Sequence, residues 1–380
     1  MIAREGEAPA EPQITNGSRL GRSLALPDTP LRPDKIPAME KLRFGIISTG
    51  NIATQFIEGI NGGATRSACT AVASRSIDTA KAFATQYSIP TAHGSYDELL
   101  ADPNVDAVYN ALPNLYHKEW TLKALAAGKH VLCEKPMGMD AAETEEMFAA
   151  AKQADRTLIE AFMYRTHPQT RAVLKAIREG AIGEVKLIRT TFCYRTEKID
   201  GNTRFDQSLG GGAIMDIGCY CVDLARQITG EDPATIMAAG RLHDSTDGGK
   251  IDVSASAVLA YPSGIFSTLT CAMDTQASNL VQVCGTTGYI EIPVPWKPGI
   301  AEPTWMLRTM KKPRQDGVPD EVGEQLETFT NKADKPLYAL EADAFAEAVL
   351  DGVPPFMSGE ESIGNAKVLD ELRRQVGVAW

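Results

Sequence analysis

The chain has 380 residues, 43% hydrophobic and 23% charged, the balance of a folded protein with room for two domains, which excludes a short binding peptide and a chain disordered over most of its length. Its 38 Lys and Arg against 49 Asp and Glu give a formal charge of −11, so it lacks the basic excess that would follow a nucleic acid or hold an anionic membrane. The expected partner is a small molecule or another protein, and a local basic pocket for one cofactor phosphate remains compatible with that total.

Residues 1–40 carry Pro9, Pro12, Pro27, Pro30, Pro33 and Pro37 among scattered charges, and Ser23-Leu24-Ala25-Leu26 is too short for a secretory apolar region. A disordered extension is expected there. Translation starting at Met39, just before the first strand, and an arm around a partner subunit are the alternatives. No later run reaches the roughly 18 apolar residues of a membrane helix, so no span is expected.

The organised part opens with Leu42-Arg43-Phe44-Gly45-Ile46-Ile47, an apolar run suited to a buried parallel strand. Ser48-Thr49-Gly50-Asn51-Ile52-Ala53 follows, a G-x-G-x-x-G/A dinucleotide turn with Ser48 in place of the first glycine. In such a turn Gly50 lets the backbone approach a pyrophosphate, the helix start at Asn51 and Ile52 offers free N–H groups, and Ala53 lets helix and strand pack closely. A second strand, Cys69 to Ala73, ends in Ser74-Arg75-Ser76, where a dinucleotide domain reads the adenosine ribose. An acid there would repel a 2′-phosphate. The hydroxyl of Ser74 and the guanidinium of Arg75 instead favour NADP, with NAD still open and a solvated turn arginine as the alternative.

A helix over Ile77 to Tyr87, a strand over Val105 to Asn110, a helix over His117 to Ala127 and a strand over His130 to Cys133 continue the alternation, which requires right-handed crossovers and a parallel sheet. Ligands in such sheets bind beyond the C-terminal strand ends, where Pro113-Asn114, Glu134-Lys135-Pro136 and Glu160-Ala161 fall. Lys135 lies between a buried strand and a helix opened by an Asp140 and Glu143 capping box. Restrained and partly desolvated, its ammonium is expected to stabilise an alkoxide or exchange a proton near neutrality.

Further along, Glu184 to Tyr194, Ile251 to Tyr261, Gly264 to Met273 and Leu280 to Ile292 are strand-like and suit an open sheet with one exposed face. Between the first two, the turn Gly210-Gly211-Gly212 leads into an apolar helix. Asp216, Tyr220 and Asp223 are expected to point from one side of it, into a pocket or into a salt bridge buried between domains. Gly211 and Gly212 either bring N–H groups to a ligand or give flexible entry to the helix. Trp120 reads as packing and His167, before a proline, as positional. Helices over Ala339 to Leu350 and Glu360 to Val376 are expected to pack back on the first domain, and Lys311 to Asp320 reads as a loop.

The seven cysteines lack C-x-x-C spacing and read as buried thiols of a cytoplasmic protein. His93, His117, His130, His167 and His243 show no metal-binding pairing, so no metal is expected.

Val105-Asp106-Ala107-Val108-Tyr109, Pro113-Asn114, His117 and Ala127-Gly128-Lys129-His130-Val131-Leu132-Cys133-Glu134-Lys135-Pro136 together resemble the glucose-fructose oxidoreductase and inositol dehydrogenase family, Gfo/Idh/MocA. The resemblance covers nearly everything from Leu42 to the C-terminus. It implies an α/β protein: a Rossmann domain over 41–165, then a substrate-binding and oligomerisation domain over 166–380 whose large, mostly antiparallel sheet joins a homodimer or homotetramer. It further implies hydride transfer between NAD or NADP and a sugar, cyclitol or cyclic diol. Lys135, Asp216 and Tyr220 are the implied catalytic residues, and Pro113, Asn114, His117, Glu134 and Lys135 the implied cofactor contacts.

Glu160-Ala161-Phe162-Met163-Tyr164-Arg165-Thr166-His167-Pro168 is similar to a segment of the NADP-dependent xylose and dihydrodiol dehydrogenase branch, which implies that Arg165 helps hold the cofactor. The proton role is expected of Tyr220, with its pKa drawn down by the lysine. A dicarbonyl-sugar reductase using the same residues and a sensor without turnover are the alternatives.

Overall fold

Strands that are apolar on both faces build the first sheet. The computed structural model describes residues 41–310 and 324–378, so the extension expected over residues 1–40 and the loop expected at 311–320 lie outside the described residues. In chain order come β1 (Leu42–Ile47), α1 (Asn51–Asn61), β2 (Ser67–Ala73), α2 (Ile77–Tyr87), β3 (Thr91–His93), α3 (Tyr96–Leu100), β4 (Ala107–Asn110), α4 (His117–Ala126), β5 (His130–Glu134), α5 (Ala141–Ala154) and β6 (Leu158–Ala161). The strands lie in the order β3-β2-β1-β4-β5-β6, all parallel. This is a Rossmann arrangement, and its order reverses between β1 and β4, where a crevice opens at the carboxyl ends of the strands.

α2, α3 and α5 start where a hydroxyl or carboxylate can satisfy a free N–H group. Ser76, Ser95 and Asp140 accept from the backbone of Thr79, Glu98 and Glu143. The expected capping box at α5 is half made, because the Glu143 carboxylate accepts from Met139 N rather than returning to Asp140.

The second half comprises α6 (Pro168–Arg178), β7 (Val185–Cys193), α7 (Cys219–Thr229), β8 (Thr235–Asp244), β9 (Lys250–Ala260), β10 (Phe266–Ala272), β11 (Val281–Gly285), β12 (Gly288–Ile292), β13 (Thr304–Met310), β14 (Glu324–Thr330), α8 (Leu337–Leu350) and α9 (Gly359–Val376). Its sheet runs β14-β13-β12-β11-β7-β10-β9-β8, antiparallel except for the β7 and β10 pair. The stretch expected as one strand from Leu280 to Ile292 is a hairpin, β11 and β12, turning at Thr286 and Thr287. β8 escaped the sequence reading because it is exposed along most of its length and so shows no apolar alternation.

Both C-terminal helices return. α8 lies against α1, and Phe345 reaches Phe44 of β1 at 5.5 Å between rings. α9, opened by a Ser358 and Glu361 capping box, packs on α5, α7 and β8, so it touches elements of both halves.

Candidate active site

A cleft of about 630 Å³ lies between the two halves. Its first wall is made by the strand ends of the parallel sheet: Ser48 after β1, Pro113 and Asn114 after β4, and Glu134 to Pro136 at the end of β5. Its second wall is Phe192 and Tyr194 at the end of β7, Arg204 and Gly210 in the loop that follows, and Asp216 and Tyr220 at the start of α7.

The two walls meet at Lys135. Its ammonium donates to the backbone carbonyl of Asp216 at 2.6 Å and lies 3.3 Å from that residue's Oδ1. It also sits 5.1 Å from the centre of the Tyr220 ring. Burial works against charge on the lysine, but the Asp216 carboxylate outweighs it and holds the Lys135 pKa above its ordinary value. The expectation that Lys135 exchanges protons near neutrality is therefore corrected: it is a fixed cation.

Asp216 is the hub. Its Oδ2 accepts from the Tyr194 hydroxyl at 2.7 Å and from Arg204 Nε at 2.9 Å. Burial would raise its pKa, yet Lys135 and Arg204 together bring it down to about 2.

Tyr220 departs from expectation in a similar way. Its hydroxyl donates to Met163 Sδ at 3.3 Å, and burial together with the Glu134 carboxylate pushes its pKa well above the ordinary phenol value rather than below it. Aromatic neighbours explain the desolvation: buried Phe162, Tyr164 and Trp296 and half-buried Phe192 all lie within ring-contact distance of Tyr220.

The helix that carries these groups begins with a wider π-type turn over Ile214–Gly218. Asp216 and Tyr220 line the cleft, whereas Asp223 turns to the interior, where it meets Arg165 at 2.9 Å through Nε and accepts from Tyr164. Of the two readings for Asp223, the buried salt bridge describes the structure. Arg165 does not line the cleft. Its guanidinium is taken up by Asp223, Glu361 and the carbonyl of Phe356, which corrects its implied place beside the cofactor. Gly211 and Gly212 do not offer N–H groups to a ligand either, since these donate to the carbonyls of Asp206 and Arg204. Gly212 has φ +116, and an added Cβ would lie 2.3 Å from Asp252 Oδ1, so only glycine fits this turn.

The cofactor end has the features a dinucleotide needs. α1 starts after Gly50 with no side-chain cap and no acid in its first turn, which leaves its N–H groups facing the cleft beside Ser48, Asn51 and Ile52. Ser48 has φ +120, a conformation natural to the glycine it replaces, and its Oγ accepts from Gly50 N at 3.1 Å. Ala53 is fully buried. Ser74 and Arg75 follow the end of β2, outside the cleft lining, with Arg75 exposed.

Asn114 ties the two walls together by donating to the Gly210 carbonyl at 2.8 Å. His117 is buried, with its ring nitrogens 2.9 Å and 2.8 Å from the carbonyl oxygens of Pro136 and Leu112, so it straps the Lys135 loop to the β4 loop. Glu134 accepts from Tyr109, and burial raises its pKa.

Sequence reasoning missed Tyr194, Arg204, Gln55, Lys297 and Tyr338, all of which line the cleft. Among the described residues no group of three or more metal-ligating side chains converges, and no helix is long and apolar enough to cross a membrane.

A parallel sheet with an uncapped helix start at its switch point, facing a lysine and aspartate pair across a cleft, defines a dinucleotide-binding oxidoreductase. The chain belongs to the GFO/IDH/MocA family. Residues 42–162 match its "Oxidoreductase family, NAD-binding Rossmann fold" and residues 170–291 its C-terminal domain. The chain is 34% identical to the trans-1,2-dihydrobenzene-1,2-diol dehydrogenase of Mus musculus, over 89% of this chain and 98% of that protein. It is also 34% identical to D-xylose 1-dehydrogenase (NADP(+)) 2 of Haloferax volcanii, over 87% and 96%. Among solved structures, a 3-ketoreductase from Actinomadura kijaniata, crystallised with NADP and TDP-benzene, superposes with a TM-score of 0.78 at 32% identity, over 89% of this chain and 98% of that one.

Proposed function

We propose that this protein is an NADP-dependent dehydrogenase or reductase acting between the carbinol and carbonyl forms of a sugar, cyclitol or cyclic diol. The observation that carries the reading is the Lys135 and Asp216 pair, held in the same cleft as the uncapped start of α1. The relatives named for dihydrodiol and xylose chemistry support the substrate class. NADP fits because Arg75 stands at the end of β2 where NAD-selective sites place an acid.

The nicotinamide, when bound, supplies or accepts the hydride. Lys135 donates a hydrogen bond to the substrate oxygen and stabilises negative charge as it develops there. Asp216 keeps that ammonium charged and aimed. Tyr220, protonated across the working pH range, gives its proton to the new alkoxide in the reducing direction and takes another from solvent before the next turnover; in the oxidising direction the proton of the substrate hydroxyl leaves to solvent. Its present partner, the Met163 thioether, is a weak acceptor, so exchange for a substrate oxygen costs little. Pro113, Asn114, His117 and Glu134 hold the walls around these groups.

We also propose that the protein is a cytoplasmic homodimer or homotetramer joined through the exposed face of the second sheet. Exposed Met237 on β8, Phe266 on β10 and Leu326 on β14 support that contact, and the seven thiols suit a reducing compartment. Light scattering of the purified protein and localisation of a tagged chain test the two statements.

The decisive experiment for the activity is a steady-state assay with NADP and NAD against a panel of aldoses, cyclitols and trans-diols. Turnover with NADP is expected. Tight cofactor binding without turnover on any of them would replace the enzyme by a sensor.

A further inference from the structure

Among the described residues three cations line the cleft, Lys135, Arg204 and Lys297, against two carboxylates, Glu134 and Asp216. A positive cleft in a chain of formal charge −11 is a local arrangement, not a reflection of composition. Lys297 reaches the cofactor wall, where its ammonium donates to Gln55 Oε1 on α1 at 3.4 Å. The phosphates of a dinucleotide at the start of α1 account for it. They do not account for Arg204, which belongs to the opposite wall.

Arg204 is held at several points. Its backbone N–H donates to Asn202 Oδ1 at 3.1 Å and its carbonyl accepts from Gly212 N at 2.9 Å. Its Nε is fixed on Asp216 Oδ2 at 2.9 Å. The two terminal guanidinium nitrogens have no protein partner among the described residues. A planar fork with one edge anchored and its outer nitrogens open is preorganised for a second oxyanion. Arg204 and Lys135 contact the two oxygens of one carboxylate, so whatever the fork binds lies close to the oxygen on which Lys135 acts.

We propose that Arg204 reads a carboxylate on the substrate, and that the preferred substrates are hydroxy acids of the sugar series, uronates or aldonates, in place of the neutral sugars. This rests on the oxidoreductase reading above and names the substrate class of that same site. Asn202, Thr203 and Thr196 on the same wall supply the polar contacts that hydroxyl groups need. Phe192, stacked on Trp296 at 5.6 Å, gives an apolar surface for the C–H face of a ring.

The test measures kcat and KM with NADP for matched pairs, glucose with glucuronate, galactose with galacturonate, and a polyol with its aldonate, in wild type, Arg204→Gln and Arg204→Lys. Wild type should favour the acid of at least one pair by about tenfold or more in kcat/KM, the scale of one charge-assisted hydrogen bond. In Arg204→Gln the KM for the acid should rise by about tenfold while kcat falls alike for both members, because Asp216 loses a partner in either case. Arg204→Lys should keep part of the acid preference. A wild type that favours the neutral member of every pair overturns the inference and leaves the oxidoreductase reading in place. So does an Arg204→Gln variant whose losses are equal for both members, since Arg204 would then serve Asp216 alone. No turnover of any member, neutral or acidic, overturns both. Arg204 is half exposed, so its variants should melt within a few degrees of wild type, which circular dichroism checks.

Discussion

Lys135 grips Asp216 twice, through the backbone carbonyl at 2.6 Å and toward the carboxylate at 3.3 Å, so the end of β5 in one half of the molecule is joined to the start of α7 in the other. Replacing Lys135 by Met should therefore do two things. It should lower kcat by about a hundredfold or more, the usual contribution of a group that stabilises charge on the reacting oxygen, and leave the Kd for NADP within a few-fold. It should also relieve the downward pull on the Asp216 pKa, of which Arg204 would be the remaining cationic source. Tyr220→Phe should lower kcat without moving a limb of the pH profile between about pH 6 and 9, because burial keeps the phenol protonated throughout. Near wild-type turnover in Lys135→Met, or a displaced limb in Tyr220→Phe, would remove these assignments.

Arg165 and Asp223 form a pair almost wholly removed from solvent, with side-chain exposures of 2% and 0%. Burial disfavours the charge on Arg165, and the Asp223 carboxylate more than restores it. Removing one partner leaves the other charged and unpaired, so Arg165→Met should destabilise the fold by roughly 3–5 kcal/mol. Because the pair lies outside the cleft, the variant's Kd for NADP, measured where it is still folded, should stay within a few-fold of wild type. A selective loss of cofactor affinity with stability intact would return Arg165 to the cofactor site.

The parallel sheet was legible because its strands are short apolar runs that only a doubly covered sheet can bury, and the spacing of turns and helices between them leaves one kind of connection. The catalytic segment was legible in residue type but not in direction. Asp223 lies about one turn beyond Tyr220 on the same regular helix, deep enough that Arg165 and Tyr164 meet its carboxylate in the interior instead of the cleft. Tyr194 and Arg204 gave no signal, since one ends an ordinary strand and the other sits in an irregular loop. Their importance comes from tertiary placement around a single carboxylate. The pKa directions of Lys135 and Tyr220 were misjudged for a related reason. Proximity of two groups could be inferred from motifs, but the depth of burial and the number of charged neighbours could not.

Arg75 stands exposed just beyond β2. If it reads the 2′-phosphate, Arg75→Ala should raise the Kd for NADP by about tenfold or more, while the Kd for NAD changes little, since a charged hydrogen bond is typically worth about 1.5–3 kcal/mol. Fluorescence titration of both cofactors against wild type and variant gives the four constants. Equal losses would assign Arg75 to the adenine or the fold and leave the preference to another residue.

Asp252 offers a test of how the catalytic turn is held. The residue is fully buried on β9, and its Oδ2 accepts from Ile214 N at 2.7 Å, directly ahead of Asp216, while Oδ1 faces Gly212. Burial pushes its pKa up to about 7, against the opposing pull of the Ile214 N–H and the Arg373 guanidinium of α9; the Cys271 thiol of β10 faces it as well. A carboxyl with a native pKa above its unfolded value binds its proton more tightly when folded. Stability is then greatest below about pH 4, falls as the pH rises from there to about 7, and carries the full penalty above that. Asp252→Asn keeps an acceptor for Ile214 N and cannot ionise, so it should lose less stability than wild type between pH 5 and 8, by roughly 2 kcal/mol or more in urea unfolding. Asp252→Ala, which leaves the Ile214 N–H without an acceptor, should be less stable than wild type at pH 5, where the native carboxyl is mostly protonated. If Asp252→Asn and wild type lose stability in parallel over this range, the carboxyl is ionised throughout and Arg373 compensates its burial.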